Sequence, residues 1–229
     1  MKIKQFTNFL EQLSIKDVLV IDKLISKNNY VAIDISKNNL ELKTFDVSSA
    51  AEWEKYITSY LKKNNAKVAF GGYLEVRNLY DRSSHFKSQS KEKLRNIHLG
   101  IDLWCTKNTK VLAVLDGEIH SFKNNNNYGD YGPTIILKHQ IKNNVFYSLY
   151  GHLSLKSIKN IKIGDHFKQG EVIGFLGNSS INGEYAPHLH FQIIKDLEDN
   201  LGDYPGVSSK ENLDFYKENC PNPNILLKL

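Results

Sequence analysis

Four of the eight histidines stand where they could act together on one metal ion or one reactant. His98 precedes Asp102 in the run His-Leu-Gly-Ile-Asp, His188 and His190 form a His-x-His pair, and His152 follows a Tyr-Gly step. Imidazole nitrogens and carboxylate oxygens bind zinc, and imidazole also takes up and returns protons near neutral pH. These residue types therefore indicate a metal site, a proton-transfer site, or both.

The spacing of these residues decides which side chains can meet. On a strand, His188 and His190 share a face about 6.6 Å apart, so both can bind one metal, or one can bind while its neighbour contacts the reacting water. His98 and Asp102 would lie about 13 Å apart in an unbroken strand, but Gly100 between them permits a bend. Together they favour a mixed nitrogen and oxygen metal site, and three protein ligands with an open position are typical of catalytic zinc.

The elements that must position these side chains are short strands separated by Gly and Asn turns. Strands of this length and spacing are typical of an antiparallel sandwich or a barrel-like sheet and not of βαβ units. Asp116-Gly117 between two of them is a hairpin signal. The predicted strands are 67–76, 99–104, 109–115, 117–122, 133–141, 144–150, 171–176 and 188–195.

The first 66 residues have a different texture and carry no catalytic constellation. Apolar residues at helical spacing predict a short amphipathic helix in the first dozen residues. Residues 30–35 and 40–45 predict two strands, and a capping box that begins at Ser49 predicts a helix up to Asn64.

The predicted fold class is therefore mainly β, and α+β overall. We divide the chain into a small α/β region at 1–66, a β core at 67–196, and an irregular tail at 197–229 that packs on the core. A chain of 229 residues is long enough to bury such a core without disulfides.

Composition narrows the function classes. The net charge is +5, but 27 of the 30 basic residues are Lys, whereas specific nucleic-acid recognition relies on Arg. Two cysteines exclude a disulfide framework and a Cys₄ zinc site, and Cys105 is expected to be a buried inert thiol. The N-terminus shows no signal peptide and no apolar run could span a bilayer, so a cytoplasmic location is expected unless the protein is exported by another route.

The ordered motifs resemble those of the lysostaphin-type zinc metallopeptidases, which cleave peptidoglycan cross-links. The resemblance is carried by His-x-x-x-Asp at 98–102, Tyr-Gly-His at 150–152 and Pro-His-Leu-His-Phe at 187–191. It extends through 113–119 and 163–174, and it covers a little under half of the chain.

This resemblance implies roles for five residues. His98, Asp102 and His190 would bind one Zn²⁺, while His152 and His188 would flank the open position, polarise the water and stabilise the oxyanion. It also implies a duplicated hybrid-motif peptidase core and a zinc endopeptidase acting on peptidoglycan or related short peptides. The expected partner is that peptide substrate, with no nucleic acid, no membrane span and no obligate protein partner.

The chain departs from the family pattern at two points. Gln192 stands where the family usually has Glu, and the loop before His188 differs from the usual one. A tyrosine that assists catalysis in relatives has no unambiguous counterpart, and Tyr80 is the candidate. His120, His139 and His166 lie among polar strand or turn residues and are expected to be exposed.

Two other function classes compete with this interpretation. Segments 111–119 and 161–174 also resemble half-motifs of lipoyl and biotinyl carrier domains, but the hairpin tip at Asp116-Gly117 has no lysine to modify. Alternatively, the chain is a catalytically silent or self-inhibited relative that acts as a binding or regulatory module. In that case residues 1–90 could place an Asn or Asp side chain in the open position.

Overall fold

The computed structural model describes residues 3–13, 18–78 and 92–229. The α-helices in these ranges are α1 (Ile3–Gln12), α2 (Ala50–Lys63), α3 (Leu213–Asn219) and α4 (Asn224–Leu227). The first six strands are β1 (Tyr30–Ala32), β2 (Val68–Gly71), β3 (Ile97–His98), β4 (Ile101–Trp104), β5 (Lys110–Leu112) and β6 (Gly117–Asn125). The other six are β7 (Gly132–Ile141), β8 (Asn144–Gly151), β9 (His166–Phe167), β10 (Val172–Phe175), β11 (His188–Ile194) and β12 (Val207–Ser208).

The strands form one large sheet and two small ones. The large sheet has the order β1-β2-β4-β11-β8-β7-β6-β9, and only the β1–β2 pair is parallel. β5 pairs with β10, and β3 pairs with β12. The fold is mainly antiparallel β with few helices, as predicted. Among the described residues, no helix is long and apolar enough to cross a membrane.

The centre of the large sheet has one apolar face and one polar face. Alternate residues of a strand point to opposite faces. Leu103 of β4 and Leu189 and Phe191 of β11 belong to the main hydrophobic core. Asp102 of β4 lies directly opposite His190 of β11, so both project from the other face. The strand register therefore places two of the predicted site residues side by side.

Two helices from the N-terminal region cover different parts of the sheet. Phe6 and Phe9 of α1 pack edge-on against Phe146 of β8. α2 begins after Ser49, and the Ser49 hydroxyl accepts a hydrogen bond from the Glu52 backbone amide, as the capping box predicts. The strand predicted at 40–45 is wrong. Asn39 caps a 3₁₀ helix there, and this local side-chain hydrogen bond replaces strand pairing.

The C-terminal tail is more regular than predicted. It contains β12, α3 and α4, and it buries Tyr204, Cys220 and Leu226. β12 pairs with β3, so Val207 lies opposite His98. The domain boundaries at 66/67 and 196/197 stay a prediction. The N-terminal region nevertheless extends the large sheet through β1, and the tail lies beside a predicted site residue.

Candidate metal centre

Three polar atoms converge on the polar face of β4 and β11. His98 Nε2 lies 2.9 Å from His190 Nδ1, and Asp102 Oδ1 lies 3.2 Å from each of these nitrogens. All three side chains are buried. Donors about 2.0–2.1 Å from a tetrahedral zinc ion lie roughly 3.3 Å apart, which is close to these distances. Within the described residues this is the group that can hold a metal ion.

The chain bends between β3 and β4 to bring His98 and Asp102 together. β3 pairs with β12 of the tail, whereas β4 pairs with β11, so the strand changes partner within three residues. Gly100 lies in this bend, and a Cβ atom there would lie 2.7 Å from His190 Cε1. Only glycine leaves room for the His190 ring to approach this closely.

Hydrogen bonds fix which nitrogen of each ligand histidine carries the proton. His98 Nδ1 donates to the Gly72 carbonyl at 3.0 Å, and His190 Nε2 donates to Gln192 Oε1 at 2.9 Å. Both acceptors are oxygens that carry no hydrogen, so the facing Nε2 of His98 and Nδ1 of His190 present lone pairs. Two lone pairs 2.9 Å apart beside a carboxylate form a site for a cation.

Gln192 is itself held in one orientation. Its Nε2 donates to the Pro205 carbonyl at 3.2 Å and to Cys220 Sγ at 3.1 Å. A carbonyl oxygen only accepts, so the amide must turn its Oε1 toward His190. The tail therefore supplies two of the atoms that orient a candidate ligand.

His152 and His188 lie next to the three converging residues. Their rings are 4.1 Å apart between centroids, and His188 Nε2 lies 4.0 Å from Asp102 Oδ1. His152 Nδ1 donates to the Asn182 carbonyl, and His188 Nδ1 donates to the Ala186 carbonyl, both at 2.8 Å. Each Nε2 therefore carries a lone pair, which can accept a proton.

Burial keeps these histidines neutral. Burial, together with the nearby Arg77 charge, lowers the pKa of His98 to about 3. Burial lowers the pKa of His188 to about 4, although the Asp102 charge opposes the shift. The pKa of His152 is lowered well below its ordinary value, first by burial and then by its histidine neighbours. Neutral imidazole is the form that binds metals and accepts protons.

Arg77 completes the centre, and sequence reasoning missed it. Its Nη1 lies 2.6 Å from Asp102 Oδ2, and its Nε lies 2.6 Å from Glu75 Oε2. Burial alone would raise the pKa of Asp102, but the interactions with His98 and Arg77 hold it well below its ordinary value. Because Arg77 occupies Oδ2, Asp102 offers Oδ1 to a metal. The available signal was that Arg77 is one of only three arginines.

Gly72 allows this arrangement. It has a φ of +109°, and a Cβ atom there would lie 2.0 Å from Arg77 Nη2 and 2.9 Å from His98 Nδ1. Glycine is the residue that adopts this conformation without strain and leaves space for both side chains. The turn after β2 therefore serves the centre through its backbone.

A cleft of about 200 Å³ opens over the centre. Three tyrosines from separate segments line it: Tyr131, Tyr185 and Tyr204. The Tyr131 ring lies 5.1 Å from the His190 ring. Residues 203–207 of the tail form part of one wall, which the prediction of an irregular tail did not anticipate. Tyr80, the candidate assisting tyrosine, lies outside the described residues.

Two other sequence expectations can be compared with the structure. Cys105 is buried in the main core, and burial raises its pKa to about 12, so it is the inert thiol expected. The expectation that His139 is exposed is wrong, because β7 places it inside the sheet with no exposed surface. His166 is exposed, with 80% of its side chain accessible, and His120 is half-buried.

The fold and the centre together define a class: a β protein with a candidate metal site flanked by proton-accepting histidines. Residues 96–201 match the family model described as Peptidase family M23. This segment, a little under half of the chain, is similar to the M23 metallopeptidases, a family of hydrolases, as the sequence motifs predicted.

The chain is similar to individual proteins over only part of their length. The chain is 27% identical over 143 residues to an endolysin of Staphylococcus phage 2638A, covering 58% of this chain and 27% of the endolysin. It is 35% identical over 95 residues to the glycyl-glycine endopeptidase ALE-1 of Staphylococcus capitis, covering 42% of this chain and 24% of ALE-1. It thus spans about a quarter of the length of these relatives.

Among solved structures, the chain is similar to the catalytic domain of lysostaphin from Staphylococcus simulans. The two are 29% identical, and the alignment covers 53% of this chain and 80% of that domain with a TM-score of 0.37.

Proposed function

We propose that this protein is a zinc-dependent endopeptidase that hydrolyses peptide bonds in peptidoglycan or related short, glycine-rich peptides. The observation that carries the proposal is the convergence of three lone-pair donors, His98 Nε2, Asp102 Oδ1 and His190 Nδ1, within 3.2 Å of one another. His152 and His188 lie beside them with Nε2 lone pairs.

The donor set fits zinc. Two imidazole nitrogens and one carboxylate oxygen with an open fourth position are typical of catalytic zinc sites, and a second hydrogen bond orients each ligand here. His98, Asp102 and His190 would hold the ion. When bound, zinc lowers the pKa of water and polarises a carbonyl group.

The neutral histidines then transfer protons. His152 or His188 accepts a proton from the attacking water at Nε2, and the water oxygen forms a bond to the carbonyl carbon. The resulting imidazolium can donate a hydrogen bond to the oxyanion, and it returns the proton to the leaving nitrogen as the C–N bond breaks. Because Nδ1 of both rings is already bonded to a carbonyl, both histidines begin the reaction as acceptors and not as donors.

The cleft supports small residues around the scissile bond. Its volume of about 200 Å³ is below the roughly 300–1,000 Å³ of typical ligand pockets. Tyr131, Tyr185 and Tyr204 line the cleft and limit the room for bulky side chains. The relative ALE-1 is a glycyl-glycine endopeptidase, which agrees with this substrate class.

Elemental analysis and hydrolysis of pentaglycine test the proposal. We expect about one zinc per chain and amine release from pentaglycine that a chelator abolishes. His98→Ala should lose both the zinc and the hydrolysis. His166→Ala, an exposed histidine with the same change, is the control and should retain both. Wild-type protein with no zinc, or zinc loss in both variants, would contradict the proposal.

The self-inhibited alternative receives no support from the described residues. Of the described residues within 1–90, Arg77 lines the cleft, and no described Asn or Asp of that segment does. A silent relative remains testable in the same experiment: one zinc per chain without release of amine from pentaglycine or from purified peptidoglycan would favour it.

A further inference from the structure

We propose that the N-terminal region positions His188 for catalysis, with Trp53 of α2 as the positioning residue that acts through Trp104. This inference rests on the proposed function, because it assumes that His188 takes part in catalysis. It assigns a role to a region outside the family match. Its structural basis is a continuous aromatic stack from α2 to the cleft.

The stack runs through four rings. The Trp53 and Trp104 rings are 6.0 Å apart between centroids and inclined by 13°, and Trp104 lies 4.0 Å from His188 at 17°. His188 in turn lies 4.1 Å from His152 at 35°. The Trp104 ring is nearly parallel to His188 and the His152 ring is tilted, and two rings centred this close to His188 have no room on one face, so they occupy opposite faces. The plane of His188 is therefore set by Trp104 on one side and by His152 on the other.

Hydrogen bonding alone does not fix this plane. The ring of His188 has one hydrogen bond, from Nδ1 to the Ala186 carbonyl, and its Nε2 faces the centre. A ring with one such bond can still tilt about it. Stacking on a buried indole removes that freedom, which keeps the Nε2 lone pair directed at the reacting water.

The same N-terminal cluster also supports the acceptor of His188. Trp53 and Ile57 of α2 belong to one hydrophobic cluster with Trp104, Tyr185 and Ala186. Trp53 is anchored within it, since its Nε1 donates to the Val47 carbonyl at 2.7 Å and its ring packs edge-on against Phe45. Both supports of His188, the indole and the Ala186 carbonyl, therefore rest on residues of the N-terminal region.

The test compares Trp53→Leu with Ile57→Ala in the full chain. Both substitutions remove buried apolar atoms from the same face of α2, but only the first removes a ring of the stack. Ile57→Ala thus reports the effect of loosening the cluster. Trp53→Phe restores an aromatic ring and should recover most of the loss, and it provides a milder variant if Trp53→Leu does not fold.

The first readout is independent of activity. In protein labelled with ¹⁵N-histidine, the ring resonances of His188, assigned by their loss in His188→Gln, report the ring current of the stacked indole. Trp53→Leu should shift the His188 resonances while those of buried His139 stay in place. Ile57→Ala should leave both unchanged. Equal shifts of His188 in the two variants, or none in Trp53→Leu, would overturn the inference.

The second readout is the hydrolysis of pentaglycine. Trp53→Leu should lower kcat about tenfold with KM and zinc content unchanged, since a misplaced reacting group costs up to about a hundredfold in rate. A loss of zinc together with activity would also overturn the inference, because it would show general loosening of the centre. If wild-type protein hydrolyses neither pentaglycine nor purified peptidoglycan, the proposed function fails, and the His188 resonances still decide the positioning role.

Discussion

Buried histidines occur in two groups of residues in this protein, and the groups differ in how the ring nitrogens are used. His139 in β7 and the four histidines of the metal centre are all buried. Burial lowers the pKa of His139 to about 4, as it does for His188. However, both ring nitrogens of His139 are bonded, Nδ1 to the Asp116 carbonyl at 2.9 Å and Nε2 to Ser148 Oγ at 2.7 Å. At the centre, one nitrogen of each histidine is bonded to an oxygen, and the other presents a lone pair that can bind a metal ion or accept a proton.

The bonds around His139 form a closed network. Ser148 Oγ and Tyr150 Oη are hydrogen-bonded to each other at 3.1 Å, and Tyr150 Oη accepts the Val114 amide hydrogen at 2.9 Å. Every polar atom in this series has a protein partner, so nothing is left to bind a ligand. Such a network specifies the packing of β7 against β8.

The comparison shows that burial and a lowered pKa do not identify a functional histidine. The useful sign is a second nitrogen with its lone pair directed at other lone pairs, as between His98 and His190. That arrangement is unfavourable without a cation, whereas the His139 network is complete without one. The following predictions test this difference.

The largest expected effect comes from making the same substitution in both groups. His190→Gln should reduce zinc to near zero and the hydrolysis of pentaglycine by about a thousandfold or more, since a catalytic metal contributes several kcal/mol to the transition state. His139→Gln should keep both, but lower the free energy of unfolding by about 1–3 kcal/mol because buried partners lose their bonds. Elemental analysis and urea unfolding measure the two effects. Zinc loss in His139→Gln would break the comparison.

The centre was more predictable from sequence than its surroundings. His98, Asp102, His152, His188 and His190 stand in short local motifs, and strand alternation with the Gly100 bend already limits which of them can meet. Their placement in the structure follows that expectation, while their roles remain proposals.

Contacts between distant segments could not be predicted in this way. Arg77 reaches Asp102 across 25 residues, and Gln192 reaches Cys220 across 28. Neither pair leaves a periodic or motif signal, because partners of this kind are set by tertiary packing. The sequence wrongly predicts an exposed His139 because its neighbours in sequence are polar. Those neighbours point away from the strand face that His139 occupies.

A second prediction concerns the pH dependence of stability. His139 has an ordinary pKa of 6.5 when unfolded and about 4 when folded, so the unfolded chain binds the proton first as the pH falls. Its contribution is complete above pH 6.5 and declines between 6.5 and 4, by up to about 3 kcal/mol. His139→Gln lacks this titration, so wild type should lose its advantage over the variant across that window. Urea unfolding of metal-free protein at pH 7.5 and about pH 4.5 measures it. A stability difference that does not change with pH would contradict the folded-state pKa.

The smallest expected effect concerns the partners that hold the histidines and not the histidines themselves. Gln192 accepts a hydrogen bond from His190 Nε2, and Ser148 is hydrogen-bonded to His139 Nε2. The two residues therefore have equivalent positions in the two groups. Gln192→Leu removes the acceptor that fixes the tautomer and orientation of His190, and it should weaken zinc binding about 10–100-fold. Ser148→Ala should cost about 1–2 kcal/mol in unfolding and leave zinc affinity unchanged. Competition with a chelating dye measures zinc affinity in both variants. If Gln192→Leu changed only the free energy of unfolding, His190 would need no outer partner to bind metal, and the two histidine groups would differ in their free nitrogens alone.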